Sequence, residues 1–142
     1  MDNSIRLLEF IFKNAKMGSE TIEDLIDINE DLKFRDELVY EKETYDDFVS
    51  KVNKIMKKMG KEAKDLSFFT EMQSYLMIKM ETLKDKSSEH IAGMLMQGST
   101  MGIVQITKKL REYEDSDKEV VKLAKRLLEI EEKNFYELKK YL

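Results

Sequence analysis

Nothing in this chain interrupts a helix. Its 142 residues include no proline and only five glycines, the two residue types least tolerated inside helices. Apolar residues recur at steps of three and four from one end to the other, the period of one face of an α-helix. Charged residues make up 38% and apolar residues 42%. That balance gives each helix one dry stripe and one solvated face. At this length one domain buries its own core without disulfides or a structural metal.

The spacing predicts a first helix over about 4–28, on a stripe of Ile5, Leu8, Phe12, Ala15, Ser19, Ile22 and Ile26. Asn29 to Asp31 leave room only for a tight turn, so the second helix runs antiparallel to the first. It is expected over about 31–59, on Arg35, Leu38, Lys42, Tyr45, Val49, Val52, Met56 and Met59, with Gly60 as its terminating glycine. A shorter helix is expected over about 65–83, capped by Asp65 or Ser67. Asp85 to Ser88 then break the pattern and offer new caps. The next helix is expected over about 88–113, with Ile91, Leu95, Gly98, Gly102, Ile106 and Leu110 inward. Ser116-Asp117-Lys118-Glu119 has the form of a capping box, and a last helix runs from there almost to Leu142. Its stripe is Val120, Leu123, Leu127, Ile130, Glu131, Asn134, Leu138 and Tyr141.

Four helices of ~25 residues are each ~37 Å long. If the short segment climbs back along the others, the order is up, down, return, down, up. The fold class is therefore all-α, a four-helix bundle with a helical crossover between the second and third long helices. A five-helix up-and-down bundle is the alternative.

Composition also bounds function. Net charge is −4, with acids and bases interleaved, and no basic block or basic-aromatic pattern marks a nucleic-acid surface. There is no cysteine, which removes disulfides and thiol chemistry and fits a reducing, cytoplasmic setting. No apolar run reaches the ~18 residues of a membrane span, and the N-terminus lacks the pattern of a secretory signal.

The stretch from Ser87 to Gly102, SSEHIAGMLMQGSTMG, together with the helix order, resembles small bacterial bundle proteins of the ferritin-like superfamily. The resemblance spans the whole chain and implies a fold more than an activity; it allows a stress- or coat-related role. Di-iron members place a Glu on each of two helices and Glu-x-x-His on the other two. Here Glu131 is followed by Asn134 where that motif has His. The second helix offers Lys42 and Tyr45, the first Ser19 with Glu20 nearer the edge, the third Gln105. The single histidine, His90, begins a helix far from the middle. The reading is of a bundle without that metal site, with no resident cofactor. An iron or manganese site on Glu20 and Glu131, with Asn134, is the alternative. A third reading takes Met72, Met77, Met80, Met94, Met96 and Met101 as thioether ligands for Cu(I), against their ordinary use as core filler.

The residues themselves point to a polar layer in the middle of the bundle. Lys42 and Glu131 are expected to pair there, because an unpaired buried ammonium costs several kcal/mol. Tyr45, Gln105 and Asn134 would satisfy the remaining donors and acceptors, as a pocket for a small ligand or as a layer that fixes register. Gly18, Gly98 and Gly102 are expected at a close helix approach that offsets their cost in helix stability. Phe68, Phe69, Met72, Tyr75 and Met77 nearly encircle the short helix, so a second subunit is expected to cover it, making a homodimer. The overall expectation is a non-catalytic bundle acting through protein or small-ligand contacts.

Overall fold

The computed structural model describes residues 2–61 and 83–142. They form α1 (Asp2–Leu25), α2 (Leu32–Lys58), α3 (Ser88–Glu112) and α4 (Lys118–Leu138), followed by a single 3-10 turn, Lys139–Tyr141. The described residues form an all-α four-helix bundle. The segment expected as a helix over 65–83 lies almost entirely outside the described residues, and with it the caps Asp65 and Ser67.

Local chemistry sets the helix ends. Asp31 caps α2, its carboxylate accepting from Lys33 N–H at 3.1 Å and Phe34 N–H at 3.2 Å. α2 closes on Gly60, at φ +75°. Lys61 N–H returns to Met56 O at 2.9 Å and Gly60 N–H to Lys57 O at 3.1 Å, the paired bonds of a Schellman ending. Ser87 caps α3 by accepting from His90 N–H at 3.1 Å. The expected capping box at Ser116 does not form. α4 starts one residue later, on Asp117, without a side-chain cap. That register puts Glu119 at the second helical position, one residue short of reaching back.

Contacts at the two ends fix the helix directions. At one end Ser88 donates to Asp31 Oδ2 at 2.9 Å, and Asn29 donates to Ser88 Oγ at 3.2 Å, so α3 starts beside the α1–α2 turn. At the other end Asp117 N–H donates to the buried Ser4 hydroxyl at 2.8 Å, and Asn3 donates to Asp115 at 3.0 Å. Tyr141 then returns to the start of α2, its ring 4.9 Å from that of Phe34 and its hydroxyl donating to Lys33 O at 3.2 Å. α1 and α4 therefore run one way, α2 and α3 the other. α1 packs along α2 and α3 along α4, and the two hairpins join chiefly through α1 against α4. Lys61 and Leu83 stand at opposite ends of the bundle. A crossover and a fifth packed helix both require that, so the directions do not choose between them.

The core runs the length of the bundle through Leu7, Ile11, Ala15, Val52, Met56, Ile91, Ile106, Ala124 and Leu127, all fully buried. On α2 the buried line is Phe34, Leu38, Glu41, Tyr45, Phe48, Val52 and Ile55. Phe34, Glu41, Phe48 and Ile55 are spaced by seven, the repeat of a helix seam in a bundle. The stripe expected through Arg35, Lys42 and Val49 is therefore displaced by one residue, about 100° around the helix.

A buried two-carboxyl site beside a cavity

That displacement decides what sits at mid-bundle. Glu41, at a seam position between two phenylalanines, is 2% exposed. α4 brings Glu131, 6% exposed, and Asn134, 4% exposed, to the same level. Tyr45, one turn beyond Glu41 on α2, donates its hydroxyl to Glu131 Oε1 at 2.7 Å. α3 contributes the buried hydroxyl of Ser99, which also hydrogen-bonds Glu131.

Lys42 is not part of this layer. It points away from the seam, half-buried, and pairs with Asp46 of its own helix at 2.6 Å. Asp46 also accepts from the buried Ser19 hydroxyl of α1. The expected Lys42–Glu131 pair is thus replaced by an i,i+4 pair on the α1–α2 rim, because Glu41 rather than Lys42 occupies the seam. Gln105 is half-buried and does not line the cavity described below. Glu20 is exposed, 3.9 Å from Lys16, so it does not join Glu131 as a metal pair. Among the described residues no three His, Cys, Asp or Glu side chains gather as a metal site. His90 is exposed in the first turn of α3. Phe68, Phe69, Met72, Tyr75 and Met77 lie outside the described residues.

Two carboxyls are thus buried together without a cation among the described residues that line their site. Burial raises Glu41 to about 10, helped by the neighbouring Glu37 carboxyl and by the charges of Glu131 and Glu137. Burial raises Glu131 to about 7, opposed by the hydroxyls of Tyr45 and Ser99, which favour its charged form. Burial also holds the Tyr45 phenol well above its ordinary range, reinforced by the Glu131 charge. Glu41 is therefore neutral near pH 7, while Glu131 is poised between its two states. Glu41 shares a carboxyl–carboxyl hydrogen bond with Glu37, and Asn134 hydrogen-bonds the Tyr45 hydroxyl, but Glu37 Oε2, Glu41 Oε2 and Asn134 Nδ2 are buried with poor hydrogen-bond geometry. In native interiors such atoms are rare and costly.

Beside this pair lies a cavity of about 50 Å³ between α1 and α3, floored by Glu41, Tyr45 and Glu131. Thr21 and Ser99 add hydroxyls; Ile22, Met94, Leu95 and Met101 supply apolar wall. Three of the five glycines line it: Gly18, Gly98 and Gly102. Their roles differ. A Cβ on Gly18 would come within 2.8 Å of the Tyr45 ring, and one on Gly102 within 3.3 Å of the Glu131 carboxyl carbon. These two make room for the side chains of the polar layer. Gly98 does not close-pack as expected: a Cβ there meets nothing within 4 Å and would project into open space.

Among the described residues, fold and site together define a class: a four-helix bundle with a carboxyl-lined cavity between two of its helices. Compared with protein-family models, curated proteins and solved structures, the chain matches none of them. No helix among the described residues is long and apolar enough to cross a membrane.

Proposed function

We propose that this protein is a non-catalytic, ferritin-like bundle of the cytoplasm whose work is to bind a small ligand in the mid-bundle cavity. The observation that carries the reading is the pair Glu41 and Glu131: two buried carboxyls bordering a cavity, with no Lys, Arg or His among the described residues that line it. A pair of that kind costs stability unless something completes it. The ferritin-like part of the reading rests on the sequence resemblance, with which the parallel run of α2 and α3 is compatible. The absence of cysteine from the sequence and the exposed position of the one histidine argue against nucleophilic catalysis. The aromatic and methionine run over 65–83 supports a homodimer, which light scattering would report as twice 16.8 kDa.

A panel of compounds of two to six heavy atoms, spanning amines, alcohols and acids, tests the ligand reading. At least one should raise the unfolding midpoint saturably, as ligands selective for the folded state do. Gly98→Leu, which projects a side chain into the cavity, should abolish the effect. A panel in which nothing binds the wild type would sink the reading.

A further inference from the structure

We propose that the cavity's ligand is a small primary amine in its ammonium form, held by Glu41 and Glu131 with its alkyl end along Met94 and Met101. The inference rests on the ligand-binding reading above and names the ligand's chemical class. The lining is lopsided in its hydrogen-bonding capacity. It offers two carboxyls and the hydroxyl oxygens of Tyr45, Ser99 and Thr21, but no Lys, Arg or His among the described residues. The Tyr45 proton is already committed to Glu131. Asn14 is the one lining side chain with N–H donors, and its amide donates to Phe10 O at 3.0 Å. A site that can hold negative charge on Glu131 and has no basic side chain in its lining favours a cationic donor and rejects anions. An ammonium brings three donors and a positive charge on a compact head, which matches the Glu131 carboxylate and the acceptor oxygen of the neutral Glu41 carboxyl.

Size and polarity narrow the class further. A cavity of about 50 Å³ encloses only a few heavy atoms, so the bulk of a nucleotide, sugar or large cofactor would lie outside it. A hard divalent ion such as Ca²⁺ is held by several carboxylates, and no three His, Cys, Asp or Glu side chains gather as a metal site among the described residues. The remaining wall is apolar, with thioethers that adapt to short alkyl chains. Met101 is 36% exposed, so the tail end lies toward solvent. Seating a cation there also resolves the electrostatic imbalance: the charge that Glu131 resists when buried alone becomes favourable beside an ammonium. Binding then releases the Glu131 proton to solvent. The groups facing these carboxyls are Glu37 and Tyr45 from α2 and Glu137 from α4, all acidic or neutral. The positive charge beside these groups is Lys140, which pairs with Glu137 at 2.6 Å and not with Glu41 or Glu131.

The test is a titration with ethylammonium, ethanol and acetate, read by methionine methyl NMR shifts at a pH about one unit above 7, where Glu131 is charged. Ethylammonium should bind saturably in the millimolar range expected of so small a ligand, at least ~10-fold more tightly than ethanol, and acetate should not bind. Affinity should fall as the pH drops below about 7, the value at which Glu131 takes up its proton. Glu131→Gln and Glu41→Gln are near-isosteric, so a retained fold is checked by circular dichroism; Glu131→Gln, which removes the charge, should weaken ethylammonium ~10-fold, Glu41→Gln, which keeps a neutral acceptor, should weaken it less, and both should leave ethanol unchanged. Equal binding of ethanol and ethylammonium, or indifference to both glutamine variants, would overturn the amine assignment and leave the cavity reading standing. Failure of all three probes, in a protein where larger panel compounds bind and Gly98→Leu blocks them, would likewise reject the small amine alone. Failure of every compound would remove both.

Discussion

Glu131 is the residue through which the site reports itself most simply. Its ordinary carboxyl value of 4.5 is raised to about 7 in the folded chain, so the folded state holds that proton more tightly than the unfolded state does. The stability associated with it is complete below about pH 4.5 and drains away as pH rises through about 7. By pH 8 the loss is on the order of 3 kcal/mol. Glu131→Gln carries no such charge and keeps an acceptor for Tyr45. It should be more stable than wild type by roughly that amount near pH 8 and nearly equal to it near pH 4, as measured by urea unfolding across the range. A variant less stable than wild type near pH 8 would show that the charge is compensated. The glycines separate at the same scale. Gly98→Ala gains helix propensity without a contact and should stabilise by about 1 kcal/mol. Gly18→Ala drives into the Tyr45 ring and should cost about 1–3 kcal/mol. Thermal unfolding of the two variants checks the opposite signs.

At the scale of the element, α2 shows both the reach and the limit of the sequence. Its existence, its Asp31 start and its Gly60 stop are written in cap chemistry. Its face is less plain. The lines 35-38-42-45-49-52 and 34-38-41-45-48-52 share every second member, so periodicity cannot separate them. What separates them is the bulk of Phe34 and Phe48, whose buried area outweighs that of Arg35 and Val49. With the phenylalanines inward, a seven-residue step puts Glu41 in the core and Lys42 on the rim. The fact that hid Glu41 is chemical: a buried acid without a basic partner violates the expectation that charges are paired. On α4 the stripe was legible, because Glu131 and Asn134 share a face with Leu127 and Leu138 that no alternative line competes for. The capping box failed for a different reason, since Ser116 and Asp117 are both good caps and only tertiary packing, Asp117 N–H onto Ser4, chooses between them.

At the scale of the molecule, the bundle is joined tightly along α1–α2, α3–α4 and α1–α4, and it opens where three glycines and short polar side chains meet between α1 and α3. A cavity of that kind cannot be read from one helix at a time, because it is a product of what two helices both omit. The all-α class was legible from the end-to-end periodicity, whereas the cavity and its two carboxyls emerge only when all four helices are assembled. Everything functional here depends on one physical claim: two carboxyls share the middle of the bundle with no Lys, Arg or His among the described residues lining their site. The direct measurement is an NMR titration of the glutamate side-chain carboxyl carbons from about pH 4 to about pH 11, with Glu41→Gln and Glu131→Gln to assign the signals. The account predicts that Glu131 titrates at about 7 and Glu41 at about 10. Two carboxyls titrating together near the ordinary 4.5 would contradict it.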